Sequence, residues 1–371
     1  MDSEQLGQLL LTGVPGPELD PDTARRFKKL QPGGFILFGR NIKSPEQLRK
    51  LTDDLRDLSN TEPIITIDQE GGRVSRLRLI GNEPPNAQAL REKGDRQLIK
   101  RHGFLTGDIL RLFGFNLDLC PVLDISHNGD VDNSLKGRTY GTDAQQVIDY
   151  AGTFNRAMRK TGMLSCGKHF PGYSQAAVDA HEELPVIDRT REQIETEELA
   201  PFRALAPEID AMMICHAHYP AFDGDRPRWP SSLSKNIITK LLRDQLGYEG
   251  LIMTDDLDMG AILNEVGFEQ TIQEAILAGN DMVMICHRVD MVEEAFEHLK
   301  KVPGPVIHDA QESIYQTKKR LARPTKFSLE AFKEIDDKIW DLRVDTLGEE
   351  KAKILSVEDG KRSPVENIGD N

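Results

Sequence analysis

Residues 250–257 read GLIMTDDL. Leu251, Ile252 and Met253 form an unbroken apolar run that ends on Thr254-Asp255-Asp256. A strand with one wet face alternates apolar and polar residues. An uninterrupted run bounded by turn residues instead fits a strand covered on both faces, as in a parallel sheet. The same design recurs at GGFILF (33–38), PIITID (63–68), FNLDLCPVLDI (115–125), MLSCGKHF (163–170), DAMMICHAHYP (210–220) and DMVMICHR (281–288), with a weaker eighth at GPVIHD (304–309). Between the runs lie segments of helical period, such as SPEQLRKLTDDLRDLS (44–59) and SKNIITKLLRDQLG (234–247). Ser44-Pro45 and Ser234 read as helix starts, Gly247 as a stop. Eight βα units predict an α/β fold, a (β/α)8 barrel of TIM type, with an irregular strand order allowed. No Gly-x-Gly-x-x-Gly turn follows the first run, which disfavours a dinucleotide-binding sheet. The barrel is expected to fill residues 1–345 as one domain. Residues 346–371 are polar and aperiodic and read as a weakly ordered tail.

Composition narrows the function classes. The chain has 371 residues and a formal net charge of −14. Nucleic-acid binding needs a cationic footprint to displace counterions, so nucleic acid is not an expected partner. An anionic membrane surface is disfavoured in the same way, and no run reaches the roughly 18 apolar residues of a membrane span. The opening MDSEQLGQLLLTGV is acidic and lacks the basic start of a secretory signal, so a cytoplasmic protein is expected. Cys120, Cys166, Cys215 and Cys286 lie far apart in apolar runs and read as small buried thiols. A monomer or weak homodimer is expected.

In such a barrel, chemistry collects where strands end. The run endings carry Asp68-Gln69-Glu70-Gly71-Gly72-Arg73, Asp124, Lys168-His169, His216 with His218, and Thr254-Asp255-Asp256. Carboxylates at Asp68, Asp124 and Asp255 with cations at Arg73, Arg76, Arg138 and Lys168 suit a polyol. Glycoside hydrolysis needs a carboxylate on one face of the sugar ring and a proton donor for the leaving oxygen. Asp255 and Asp256 compete for the first role, because neighbours on a strand point to opposite sides. A metal-dependent amidohydrolase using His216 and His218 is a competing reading, as is a non-catalytic sugar-binding barrel.

The stretches GGFILFGRNIKSPEQL, IDQEGGRVSRL, PVLDI, GRTYGTD, GKHFPG, VDAHEELP and GYEGLIMTDDLDMGAI occur in order between residues 33 and 262. Together they resemble the β-N-acetylglucosaminidases of glycoside hydrolase family 3, the cytoplasmic peptidoglycan-recycling type. The resemblance implies an exo-acting retaining enzyme that works through a covalent glycosyl-enzyme, with no cofactor and no metal. By motif, Asp255 matches the nucleophile. His181 matches an acid/base on a mobile loop, paired with Asp179. Asp68, Arg76, Arg138, Lys168 and His169 match the groups that hold the sugar, while Arg73 supports them. Asp124, His216 and Tyr173 rank below these as site residues. The family usually continues Lys-His-Phe-Pro with Gly-His-Gly, and this chain has Gly172-Tyr173-Ser174. The small residues from Gly172 to Ala177 read as a hinge for the acid/base. A β-glucosidase or an N-acetylglucosaminide phosphorylase are the alternatives within the family.

Overall fold

The computed structural model describes residues 3–127, 134–174, 184–258, 262 and 265–356. Eight parallel strands close a barrel: β1 Leu10–Gly13, β2 Gly34–Leu37, β3 Ile64–Ile67, β4 Leu117–Asp118, β5 Leu164–Phe170, β6 Ala211–Ile214, β7 Leu251–Asp256 and β8 Met282–Ile285. Each pairs with the next, and β8 returns to β1 with Val283 opposite Leu10. The strand order is therefore regular, not irregular. Every residue of β1, β2, β3, β5, β6 and β8 is buried, as strands lined by side chains inside and helices outside must be.

Two assignments change. The first strand is Leu10–Gly13, four residues hidden in the apolar stretch of the N-terminus. The expected eighth strand at 304–309 is instead the start of helix Gly304–Lys318. Its buried residues are Ile307, Ala310, Ile314 and Thr317, a three-and-four spacing that belongs to a helix. Each strand read from the sequence thus stands one place later in the barrel. The helix starts hold: Ser44 Oγ accepts the Gln47 N–H at the head of Pro45–Leu58, and Ser234 Oγ accepts the Ile237 N–H.

Arg40, just past β2, stitches the barrel seam. It donates to the carbonyls of Val14 at 3.0 Å and Cys286 at 2.6 Å. At the other end of the chain, helix Leu329–Leu347 runs through the expected boundary at 345, and the turn Glu349–Ala352 folds after it. The tail expected from 346 is thus structured through Ser356, and residues 357–371 lie outside the described residues. Among the described residues no helix is long and apolar enough to cross a membrane. The four cysteines are free and buried.

Candidate active site

The C-terminal ends of β3 and β5 build one charged cluster. After β3 the chain makes a short hairpin, Gln69–Gly71 against Val74–Ser75. Gly71 sits at φ 107°, and a Cβ there would lie 2.4 Å from the Pro85 carbonyl oxygen, so only glycine fits. Lys168, buried at the end of β5, places Nζ 2.6 Å from Asp68 Oδ1 and 2.7 Å from Glu70 Oε1. Arg138 grips Glu70 with both prongs, Nε to Oε2 at 2.8 Å and Nη2 to Oε1 at 2.7 Å. Arg76 Nη2 lies 3.7 Å from Asp68 Oδ2. Arg73 donates to the Ser134 and Lys136 carbonyls and so braces the turn that carries Arg138.

Desolvation opposes charge here, at several kcal/mol per buried ion. For Glu70 the burial penalty is the largest single influence, yet Arg138 and Lys168 together outweigh it and hold the carboxyl well below the usual range. Burial likewise pulls Lys168 down, and Asp68 and Glu70 more than reverse it, so the amine stays charged. Below this layer, burial pushes the Asp118 carboxyl up to about 7, against hydrogen bonds from Cys120 Sγ at 2.9 Å and the Gln69 N–H at 3.1 Å.

Asp124 fixes His169. One of its oxygens, Oδ2, accepts both the His169 N–H at 3.1 Å and Nδ1–H at 2.7 Å, while Oδ1 accepts the Tyr173 N–H at 2.7 Å. Nδ1 is then the donor, which sets the tautomer and presents Nε2 as the ring's other polar atom. Gly172, Tyr173 and Ser174, the first residues of the expected hinge, are held by hydrogen bonds. Tyr219 Oη donates to the Gly172 carbonyl at 2.7 Å, and the Tyr173 ring is buried 5.9 Å from that of His169. Ser174 Oγ donates to Glu198 Oε2 at 3.1 Å. Asp179, His181 and the rest of the expected hinge, 175–177, lie outside the described residues.

At the end of β7 the two aspartates part. Asp256 is buried, and its Oδ1 accepts the N–H groups of Cys286 at 3.0 Å and Asp258 at 3.2 Å. Burial and then the charge of Asp258 push its carboxyl well above the usual range. Asp255 is only partly buried, and its Oδ1 accepts the Asp256 N–H at 2.8 Å. Its charge bears on the thiols of Cys166, Cys215 and Cys286, on β5 and just beyond β6 and β8. Of the two, Asp255 is the more exposed.

The histidine pair is occupied otherwise. His216 Nε2 donates to the Asp256 carbonyl at 2.8 Å, and Nδ1 meets Ser232 Oγ at 2.8 Å. His218 Nδ1 donates to the Trp229 carbonyl at 3.1 Å. Both therefore brace backbone. Among the described residues no group of three or more His, Cys, Asp or Glu is placed to hold a metal ion.

Two residues were not foreseen. Glu70 lay inside a recognised stretch, but its partner Arg138 is 68 residues away. Glu198 is a buried carboxylate that takes His127 Nε2 and Arg189 Nη1 at 2.7 Å each, besides Ser174. No local pattern marks it.

Residues 2–317 match the glycosyl hydrolase family 3 N-terminal domain. A β-hexosaminidase from Alkalilimnicola ehrlichii is 35% identical over 308 residues, covering 81% of this chain and 86% of that protein. The family 3 β-N-acetylglucosaminidase of a Paenibacillus species superposes with a TM-score of 0.83 at 31% identity, over 92% of this chain and 68% of that one. NagZ from Neisseria gonorrhoeae gives 0.76 at 28% identity, over 90% and 97%, and has also been solved with N-trifluoroacetyl-D-glucosamine. With the domain matched over most of its length and relatives above 30% identity along four fifths of it, this chain is a member of glycosyl hydrolase family 3.

Proposed function

We propose that the protein is an exo-acting, retaining β-N-acetylglucosaminidase that releases terminal N-acetylglucosamine. The observation that carries the reading is a preorganised cluster of Asp68, Arg76, Arg138, Lys168 and His169 past β3 and β5, in a barrel whose strand β7 ends on a partly buried carboxylate, Asp255. Preorganised charges bind hydroxyls without reorganising at the moment of reaction. Lys168, kept cationic, donates to a sugar hydroxyl, and Asp68 accepts from one.

Asp255 attacks the anomeric carbon as its bond to the leaving oxygen breaks. That oxygen takes a proton from the acid/base, which the motif assigns to His181 held by Asp179. Imidazole then removes a proton from water, which attacks the same carbon and frees Asp255. The β configuration returns after two inversions. A 5-fluoro N-acetylglucosaminyl fluoride should trap the intermediate, and peptide mapping should find the sugar on Asp255. A label on any other residue overturns the assignment. Release of free sugar without phosphate supports hydrolysis, while a sugar 1-phosphate formed only with phosphate makes the enzyme a phosphorylase.

A further inference from the structure

The family match ends at residue 317, and the chain then adds helix Leu329–Leu347. The helix packs on Arg96–Leu112: Arg101 Nη1 lies 2.6 Å from Asp345 Oδ2, and the Phe332 ring is 5.5 Å from that of Phe113, just past that helix. That packing alone would hold it in place. Its polar groups do something else, and they converge on one loop.

Asp336 Oδ1 accepts the Asn82 N–H at 2.6 Å, and Asn82 Nδ2 donates to Asp336 Oδ2 at 2.8 Å. A Cβ on Gly81 would lie 2.5 Å from Asp336 Oδ1, so the loop meets the helix through bare backbone. One turn-pair later Arg343, almost wholly buried, donates from Nη1 to Glu83 Oε1 at 2.8 Å and to the Glu83 carbonyl at 2.9 Å. Its Nε and Nη2 reach the carbonyls of Ala352 and Ile354 at 2.7 and 2.5 Å. Ser356 Oγ donates to the same Glu83 oxygen at 2.8 Å. Glu83 is thereby closed in from the side of the C-terminal segment.

The other side of this loop carries the candidate site. Gly72 N–H donates to the Pro84 carbonyl at 2.8 Å, and Gly71 meets Pro85 backbone to backbone. The short helix Arg76–Leu79 leads directly into it, with Gly81 N–H donating to the Leu77 carbonyl at 3.0 Å. Residues 80–86 are thus a wedge between the C-terminal helix and the hairpin that carries Glu70 and leads to Arg76.

We propose that Arg343 and Asp336 are positioning residues for sugar binding: through this wedge they seat the hairpin, and with it Arg76. The inference rests on the reading that Arg76 holds the sugar. Small displacements of a binding group far from the mutated atom are costly, so Arg343→Met should raise KM for a nitrophenyl N-acetylglucosaminide about 10-fold. kcat per active site, counted by the fluorosugar burst, should stay within about twofold. Asp336→Ala, which leaves the buried arginine in place, should raise KM about threefold and serves if Arg343→Met does not fold. In an Arg76→Met background neither change should raise KM further, because both act through the same side chain.

A merely structural role lowers the number of active sites and leaves KM alone, and that result overturns the inference. So does full additivity with Arg76→Met. If Arg76→Met raises KM while both other variants keep the wild-type value, this inference alone fails. If Arg76→Met itself leaves KM unchanged, the substrate-binding reading fails and the inference with it.

Discussion

The two carboxylate-rich strand ends of the barrel keep their acids in opposite ways. At β3 and β5, Glu70 is surrounded by permanent cations and stays ionised although buried. At β7, Asp256 has two backbone N–H donors, the His287 ring at 3.6 Å and another carboxylate nearby, and burial drives it toward the neutral acid. Amide dipoles compensate a buried charge less than a guanidinium fork does. The first arrangement holds fixed charge. The second buries one aspartate and leaves its neighbour, Asp255, partly exposed.

The sharpest break of that contrast is a pair of variants. Asp255→Asn should lower turnover of the nitrophenyl substrate by roughly 10³ or more, about 4 kcal/mol of barrier, because the covalent step is gone. Asp256→Asn should stay within about threefold of wild type. Its amide oxygen can accept the same two N–H groups that Asp256 Oδ1 does. Reversed outcomes would exchange the two roles.

Stability against pH should separate the two walls next. Glu70 has a folded pKa below its unfolded value of about 4.3, so its contribution is present above that pH and lost as pH falls through the folded value. Glu70→Gln leaves Arg138 and Lys168 undercompensated and should cost about 3 kcal/mol at pH 7 in urea melts, with the gap closing below about pH 4. Asp256 runs the other way. Its folded pKa lies above the unfolded value of about 3.9, so stability is present below that pH and lost as pH rises through the folded value. Wild type should therefore fall relative to Asp256→Asn by up to about 1.4 kcal/mol per pH unit across the ionisation. Parallel pH curves for the two variants would abolish the contrast.

The sequence exposed what is local. Apolar runs such as those within Ile64–Ile67 and Leu251–Asp256 announced buried strands, and run endings carried most of the candidate site. Four-residue β1 was too short to stand out, and GPVIHD mimicked a strand until its three-and-four spacing met a helical context. Strand alternation left Asp255 and Asp256 undecided, and the motif favoured Asp255. The structure adds that Asp256 is buried, with the Cys286 and Asp258 N–H groups and the His287 ring about its carboxyl. Glu70 and Glu198 escaped for one reason: a carboxylate's role depends on cations that the fold brings from distant residues.

Glu198 tests the contrast at its smallest scale. It is compensated by cations, like Glu70, but one of them, His127, can lose its charge. The hydrogen bond to Glu198 raises the His127 pKa, above the pull of partial burial. A raised imidazole contributes stability that is complete below its unfolded value of about 6.5 and lost as pH rises through the folded one. His127→Gln should therefore cost about 1 kcal/mol at pH 6, with the difference shrinking toward pH 8 in paired urea melts. A constant difference across that range would mean that Glu198 draws on Arg189 and Ser174 alone, and that its neighbour's charge is idle. A shrinking one would place at this corner, where Ser174 precedes the segment proposed to carry the acid/base, a carboxylate whose compensation follows pH, between the permanent cations around Glu70 and the backbone donors around Asp256.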